Sequence, residues 1–316
     1  MWFRGLVCMR VLVTGGAGLV GQNLIPKLKT IPDCSILAID KHPQNTKILR
    51  SLHPEIDVIE ADVSVPGVWV EQVKACDAIV MLHAQIGGLD PAEYERNNVT
   101  GTERVLEAAH AGVAKYMVHV SSSVVNSAAV DLYTETKKSQ EKVVDTSSIP
   151  RVILRPTLMF GWFDRKHLGW LRRFMDRNAV FPIPGNGKYL RQPLYAGDFS
   201  AIIESSLISR IEGTYNISGL SKIDYIDLIR TIKEVTKART TIVKIPYSLF
   251  WMLLKTYSLV NSNPPFTTKQ LKALATPDVF EVIDWPRIFA VQPTSLREAL
   301  DLTFNHPSYS KVELAF

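Results

Sequence analysis

A tyrosine and a lysine four residues apart are the side chains of this sequence best suited to proton transfer. Tyr133 and Lys137 lie about one turn apart in a stretch predicted to be helical, so they share one face of that helix. An ammonium close to a phenol stabilises the phenolate and lowers the pKa of the tyrosine from its ordinary value of about 10. We therefore expect Tyr133 to act as a general acid or base with assistance from Lys137.

A run of three serines precedes this pair, at the end of a predicted strand. Ser121, Ser122 and Ser123 follow the apolar residues 116–120. A hydroxyl at this position could bind the oxygen of a substrate alcohol or carbonyl beside the tyrosine. Ser123 is the expected partner, with Ser122 as its substitute. Hydroxyl, phenol and ammonium together form a set suited to hydride transfer at an alcohol carbon.

A glycine-rich segment near the start of the chain indicates where the hydride carrier would bind. The sequence TGGAGLVG at residues 14–21 follows an apolar run and opens a helix-like segment. In such a loop an early glycine permits a tight turn, a second lets the backbone approach a pyrophosphate, and a third lets the helix pack on the strand. The start of the helix adds free N–H groups and a positive dipole end. The residues expected to contact a dinucleotide here are Gly15, Gly18, Leu19, Val20 and Gly21.

Acidic residues follow the next two apolar runs. Asp40 comes nineteen residues after Gly21, where a carboxylate accepts hydrogen bonds from the adenine-side ribose. A carboxylate there repels a 2′-phosphate, so the sequence favours NAD over NADP. Asp62 and Val63 follow the third apolar run and are expected near the adenine.

Strand-length and helix-length segments alternate through the first half of the chain, which indicates a parallel sheet covered on both faces. The predicted strands are 10–14, 35–40, 57–60, 78–82, 116–121 and 151–155, and the predicted helices are 19–29, 67–75, 93–111 and 133–146. The expected fold is α/β: a Rossmann-type doubly wound parallel sheet with a smaller, mainly helical C-terminal substrate lobe.

The change of pattern after Pro156 suggests two lobes. Residues 1–155 form the expected NAD-binding domain, to which 193–218 return, and residues 156–192 and 219–316 form the expected substrate-binding lobe.

Taken in order, these motifs resemble those of the extended short-chain dehydrogenases/reductases, in the NAD-dependent epimerase/dehydratase family. The resemblance covers most of residues 9–220. It rests on residues 14–21, Asp40, Asp62-Val63, residues 98–102, residues 120–123, Tyr133 with Lys137, residues 154–156 leading to Gly161, residues 192–198 and residues 213–217.

The resemblance implies roles for individual residues. Tyr133 would be the general acid or base, and Lys137 would lower its pKa and bind the nicotinamide ribose. Asn98 would order the active-site helix or contact the cofactor, and Arg191 would bind a substrate diphosphate. His83 stands where relatives often have a small residue, and is expected to be a core histidine rather than a cofactor contact. A homodimer joined through the helices near 93–111 and 133–146 is also implied.

Three functions follow from these observations. The first is an NAD-dependent epimerase or oxidoreductase that acts on a nucleotide-linked sugar through a keto intermediate. The second is a dehydrogenase or reductase of a hydrophobic alcohol such as a sterol-like substrate, suggested by the apolar residues 245–260. The third is a non-catalytic nucleotide-binding subunit.

The composition of the chain bears on which classes of binding partner are expected. The 316 residues carry a net charge of +5, without the clustered basic and aromatic residues of a nucleic-acid-binding protein. Cys8, Cys34 and Cys76 are too scattered for a metal site or disulfide framework, which favours a cytoplasmic setting.

The apolar residues 245–260 are shorter than a membrane span. We expect a helix packed on the substrate lobe, with membrane contact as the alternative.

Overall fold

The computed structural model describes residues 9–127, 131–260, 267–276 and 279–315. Strands and helices alternate over the first half of the chain. In chain order these are β1 (Met9–Thr14), α1 (Leu19–Leu28), β2 (Cys34–Asp40), α2 (Pro43–Leu52), β3 (Asp57–Glu60), α3 (Trp69–Lys74), β4 (Ala78–Met81), α4 (Pro91–Tyr94), a π-helix (Glu95–Thr100), α5 (Gly101–His110), β5 (Tyr116–Val120), a 3-10 turn (Ser123–Asn126), α6 (Leu132–Asp145) and β6 (Arg151–Pro156).

The second half is built from shorter strands and more helices. Its elements are β7 (Met159–Phe160), α7 (Leu168–Arg177), β8 (Val180–Pro184), β9 (Leu190–Arg191), β10 (Leu194–Tyr195), α8 (Ala196–Ser209), β11 (Gly213–Ile217), β12 (Ile223–Asp224), α9 (Tyr225–Thr236), β13 (Thr241–Ile245), α10 (Tyr247–Val260), α11 (Thr268–Ala275), α12 (Trp285–Ile288), α13 (Leu296–Asn305) and a 3-10 turn (Tyr309–Lys311).

Seven parallel strands form the central sheet, in the order β11-β6-β5-β4-β1-β2-β3. The strand order reverses between β1 and β4, which pair in register with Thr14 opposite Met81. At such a point the loops leave the sheet in opposite directions and open a crevice at the carboxyl ends of the strands. This arrangement confirms the predicted Rossmann-type doubly wound sheet.

Alternate residues of each strand pack on opposite faces of the sheet, which explains why the strands read as continuous apolar runs. In β1, Val11 and Val13 join a cluster with Phe199 and Trp285 on one face. Leu12 joins the cluster on the other face, with Trp69 among its members. Both faces are therefore covered.

A third apolar cluster lies in the second half of the chain, outside the sheet. It contains Phe160, Phe181, Ile229, Leu300 and Phe304, from β7, β8, α9 and α13. β11 returns to the sheet by pairing with β6, with Gly213 opposite Val152. The exact lobe boundaries stay predictions.

Two strands, β12 and β13, follow residue 219 in the part of the chain that is expected to be mainly helical. β13 pairs in parallel with β8, with Thr241 opposite Val180. The sequence of β13, TIVKI, is mostly exposed. Its pairing with β8 is what identifies it as a strand.

α10 also departs from expectation. It contacts α11, but Trp251, Met252 and Leu253 are 41%, 51% and 50% exposed. No helix in the described part of the chain is long and apolar enough to cross a membrane.

Candidate active site

The turn between β1 and α1 forms a cradle lined by main chain. Gly15 has a φ of +68°, and a Cβ at this residue would lie 2.8 Å from the backbone nitrogen of His83. Gly18 is the N-cap of α1, whose first turn carries neither an acidic residue nor a capping side chain among the described residues. The first N–H groups of α1 are therefore open to an anion, which fits the pyrophosphate of a dinucleotide. Leu19, Val20 and Gly21 form the first turn of this helix.

Asp40 joins this cradle to the end of β2. Its carboxylate accepts hydrogen bonds from the backbone nitrogens of Ala17 (3.1 Å) and His42 (3.0 Å). Burial raises the pKa of the Asp40 carboxyl above its ordinary value, although these amides and the nearby His42 oppose the shift. A carboxylate has lone pairs beyond these two contacts, so a ribose hydroxyl can still bind.

Asp62 and Val63 lie beside this edge. Asp62 accepts hydrogen bonds from the hydroxyl (2.6 Å) and the backbone nitrogen (2.9 Å) of Ser64. Burial would raise the pKa of the Asp62 carboxyl, but the Ser64 bonds and the charges of Lys41 and Arg96 lower it overall. Val63 is buried and lies close to Gly101 at the start of α5.

Ser122 and Ser123 differ in their relation to Tyr133. The side chain of Ser122, not that of Ser123, interacts with the phenol of Tyr133 and acts to lower its pKa. Ser123 begins the 3-10 turn after β5, and the turn changes the direction of the chain between the two residues. The sequence does not show this change of direction, because both serines follow the same apolar run.

The pKa of Tyr133 is raised, contrary to the expectation that Lys137 would lower it. Burial is the main cause, and Tyr94 and Asp131 add to it, while the bond with Ser122 acts in the opposite direction. The phenol is therefore held protonated in the protein alone.

Lys137 is completely buried on the same helix, α6. Its ammonium donates hydrogen bonds to the carbonyl oxygen of Val120 (3.0 Å) and to the side-chain carbonyl of Gln140. Burial lowers the pKa of Lys137 to about 7, against the pull of Glu141. The bond to Val120 holds the ammonium at the end of β5.

A chain of polar side chains extends from Gln140 through Thr102 and the half-buried His83 to Thr14, at the end of β1. The Gln140 amide donates to the hydroxyl of Thr102 (2.8 Å), which also contacts Nε2 of His83 (3.1 Å). Nδ1 of His83 contacts the hydroxyl of Thr14 (2.7 Å), the last residue of β1. Burial, together with the charge of Lys137, lowers the pKa of His83 to about 3, so its ring is neutral.

His83 is half-buried, and the described partners of its ring are the side chains of Thr102 and Thr14. Gln140 and Thr102 were missed by the sequence analysis. The available signal for Gln140 is its spacing, three residues after Lys137 on the same helix face. Thr102 lies within residues 98–102, one of the segments that carry the family resemblance, but its contact with Gln140 depends on packing between α5 and α6.

Asn98 lies in the π-helix and connects three elements. Its side-chain oxygen accepts a bond from the backbone nitrogen of Gln85 (2.6 Å), and its side-chain nitrogen donates to the hydroxyl of Thr136 (2.9 Å). It is completely buried. Asn98 therefore positions α6, on which Tyr133 and Lys137 lie.

Arg191 is already occupied within the protein. Its guanidinium donates hydrogen bonds to the carbonyl oxygens of Leu190 (2.7 Å), Thr276 (3.0 Å) and Leu274. These contacts join β9 to the end of α11. A diphosphate bound here would have to share the guanidinium with these carbonyl groups.

The part of the chain that carries this site matches a known family. A model of the NAD dependent epimerase/dehydratase family matches residues 11–218. The chain belongs to this family. Its cofactor is NAD, and the expectation of an enzyme rather than a non-catalytic subunit is confirmed. Among the described residues, no group of three or more His, Cys, Asp or Glu could hold a metal ion.

Relatives in this epimerase/dehydratase family differ in their substrates. The chain is 29% identical over 273 residues to the Candida albicans sterol-4-alpha-carboxylate 3-dehydrogenase, decarboxylating, covering 75% of this chain and 78% of that protein. It resembles the Bacillus cereus UDP-glucuronic acid 4-epimerase with a TM-score of 0.72 at 20% identity, covering 94% of this chain and 96% of that one. It resembles the Bordetella bronchiseptica enzyme WbmG with a TM-score of 0.74 at 20% identity, covering 98% and 97%. At these identities the structural likeness shows the fold.

Proposed function

We propose that this enzyme oxidises or reduces a secondary alcohol carbon, with Tyr133 moving the hydroxyl proton. The interaction of the Ser122 side chain with the Tyr133 phenol, which acts to lower the pKa of that phenol, carries this proposal. It supports an oxygen-binding role for Ser122 beside a proton-transfer role for Tyr133, near the carboxyl end of β5, where the crevice of the sheet opens. In the oxidative direction Tyr133 takes the hydroxyl proton while Ser122 binds the same oxygen.

The remaining residues hold the reacting groups in place. NAD, when bound, accepts or returns the hydride of the carbon that bears the hydroxyl. Lys137 would bind the nicotinamide ribose, and its charge would then favour the phenolate of Tyr133. Asp40 would bind the adenine-side ribose. The cradle residues Gly15, Gly18, Leu19, Val20 and Gly21 would surround the pyrophosphate, with Asp62 and Val63 beside the adenine.

The first candidate substrate is a sugar linked to a nucleoside diphosphate, which would pass through a keto intermediate. The structural likeness to enzymes solved with UDP-glucuronic acid and NAD, and with NAD and UDP, supports this candidate. Arg191 is the residue in the substrate half that could bind the diphosphate, after releasing its carbonyl partners.

The second candidate is an apolar secondary alcohol. The observation that favours it is the engagement of the Arg191 guanidinium by three main-chain carbonyl groups. The sterol dehydrogenase similarity points the same way. An apolar alcohol needs no anion-binding group in the lobe.

Two variants separate the proposals. Tyr133→Phe should lower turnover at least about a hundredfold while NAD binding is retained, and the exposed Tyr247→Phe should leave turnover unchanged. Full activity in Tyr133→Phe would contradict the proposed mechanism.

Arg191→Ala tests the substrate class. This variant should raise the KM for UDP-glucose or UDP-glucuronic acid, and should leave the KM for a 3β-hydroxysterol unchanged.

The nucleotide content of the purified protein distinguishes the reaction type. Denatured protein that releases one NAD or NADH per chain indicates a retained and recycled cofactor, as in an epimerase. Protein that binds added NAD reversibly indicates a dehydrogenase or reductase that exchanges its cofactor at each turnover.

We also propose that the protein forms a homodimer joined through α5 and α6 and that it is located in the cytoplasm. Sedimentation velocity of the purified chain tests the dimer, and fractionation of cells tests the location.

A further inference from the structure

An apolar surface stands out from the substrate half of the molecule. We call it the α10 surface, formed by the exposed apolar side chains of α10. Leu249 and Trp251 are each 41% exposed, and Leu259 is 82% exposed. Even Phe250 and Leu254, on the inner side, are only half-buried. A 14-residue helix this apolar is normally covered by something.

The stretch of chain that contains α10 carries charges of one sign. Between Glu234 and Asp278 the sequence contains no aspartate or glutamate, although the chain has 31 acidic residues in 316. At that frequency about four would be expected in a stretch of this length. The same stretch contains six basic residues: Lys237, Arg239, Lys244, Lys255, Lys269 and Lys272.

Five of these basic side chains are exposed: Lys237, Arg239, Lys244, Lys255 and Lys272. None of the five forms an ion pair with an acidic residue in the described part of the chain. The ammonium of Lys255 lies 5.0 Å from the centre of the Trp251 ring. Positive charge is therefore combined with an aromatic, apolar face, and no described protein carboxylate neutralises it.

The base of this region is held firmly, so the surface is presented in a fixed position. β13, which leads into α10, pairs along its whole length with β8. On the other side, α11 contacts α10, buries Leu271 completely and is held at its end by Arg191. The exposure of α10 follows from this anchoring rather than from a loose segment.

We propose that the α10 surface docks on an anionic lipid surface, with α10 lying in the headgroup region. Tryptophan, tyrosine and leucine beside lysine form the combination that binds at a membrane interface. The exposed basic side chains provide the charge complementarity to anionic lipid. A second copy of the chain would bring the same positive charges into contact, so the charges oppose self-association. The proposal is independent of the substrate and of the reaction.

Vesicle co-sedimentation of the full chain tests this inference. We expect binding to vesicles of phosphatidylcholine with phosphatidylglycerol, little binding to phosphatidylcholine alone, and loss of binding as salt is raised. Equal binding to both compositions, or binding to neither, would overturn the proposal. A concentration-dependent dimer that is lost in the α10 variants below would also overturn it, since the surface would then be an interface between copies.

Matched variants locate the contact. Trp251→Ser with Leu253→Ser should weaken vesicle binding at least about tenfold. Leu89→Ser with Val68→Ser, which are 94% and 81% exposed elsewhere on the molecule, should not. Lys244→Glu with Lys255→Glu changes only exposed charges and should weaken binding to the same anionic vesicles. Retained binding in either α10 variant would contradict the proposal. Tyr133→Phe should bind vesicles like the unmodified chain, which separates this test from that of the reaction.

Discussion

The ammonium of Lys137 donates a hydrogen bond to the side-chain carbonyl of Gln140, one turn later on α6. The amide nitrogen of Gln140 donates in turn to Thr102, which fixes the orientation of the amide. Lys137 is therefore solvated by the protein rather than by water. Its position depends on a residue that takes no part in the proposed proton transfer.

Gln140→Leu removes this contact and leaves a buried ammonium with the carbonyl of Val120 as its remaining partner in the described structure. We expect a Kd for NAD about tenfold higher, because Lys137 would no longer be held for the nicotinamide ribose. The measurement is NAD titration by protein fluorescence. Gln140→Asn, which keeps the amide, should restore part of the affinity, and Gln140→Leu with unchanged affinity would contradict the assigned role.

The buried Lys137 predicts a pH dependence of stability. Its pKa falls from 10.5 to about 7 on folding, so between these values the unfolded chain binds a proton that the native protein does not. Stability from this group therefore rises with pH through that window and is lowest below about pH 7. Lys137→Met removes the penalty. The Tm gain of this variant over the unmodified protein should be larger near about pH 6 than near about pH 10.

Thermal melts across that pH range provide the measurement. A Tm difference between Lys137→Met and the unmodified protein that does not change with pH would show that Lys137 is not a buried titrating group.

The interaction between Ser122 and Tyr133 predicts a shift in the pH–rate profile. It lowers the pKa of the Tyr133 phenol against the effects of burial, Tyr94 and Asp131. Ser122→Ala should move the limb of alcohol oxidation in which activity rises with pH to higher pH, because the phenolate is then formed less readily. Ser123→Ala is the matched control and should leave the limb in place. A shift in the control but not in Ser122→Ala would return the role to Ser123.

Asp40 predicts a change in cofactor affinity. Asp40→Ala removes the bonds to Ala17 and His42 as well as the proposed ribose contact. The KM for NAD should rise at least about tenfold, and discrimination against NADP should decrease. Glu103→Ala, on the exposed side of α5, serves as the control. Steady-state kinetics with both cofactors measures the two effects.

Gly15 predicts a stability change that comes from backbone geometry. A Cβ at its φ of +68° would lie 2.8 Å from the nitrogen of His83. Gly15→Ala should therefore lower the free energy of unfolding by roughly 1–3 kcal/mol. Gly87→Ala, with nothing within 4 Å of the added Cβ, should change it by much less. Urea denaturation compares the two.

The elements that local sequence specifies were predictable. The phosphate cradle, Asp40 and the parallel strands each have a signature within a few neighbouring residues, since turn geometry and apolar periodicity act locally. The Tyr133–Lys137 spacing belongs to this group.

Features that depend on tertiary packing were not predictable. The choice of Ser122 over Ser123 depends on where a 3-10 turn begins, and Thr102 meets Gln140 because two helices pack together. β13 is a strand because β8 lies beside it. The carbonyl contacts of Arg191 join residues more than eighty positions apart.

The hydrogen bonds that link Thr14, His83 and Thr102 allow only one assignment of donors and acceptors. The Thr102 hydroxyl donates to the carbonyl of Asn98 (2.8 Å), so Nε2 of His83 must donate to Thr102 and Nδ1 must accept from Thr14. The hydroxyl of Thr14 therefore donates its one proton to Nδ1 of His83. A pyrophosphate bound in this loop would therefore receive no hydrogen bond from the Thr14 side chain, and the main-chain N–H groups at the start of α1 would meet its negative charge. Because His83 stays neutral over the whole physiological range, that polarity does not reverse with pH.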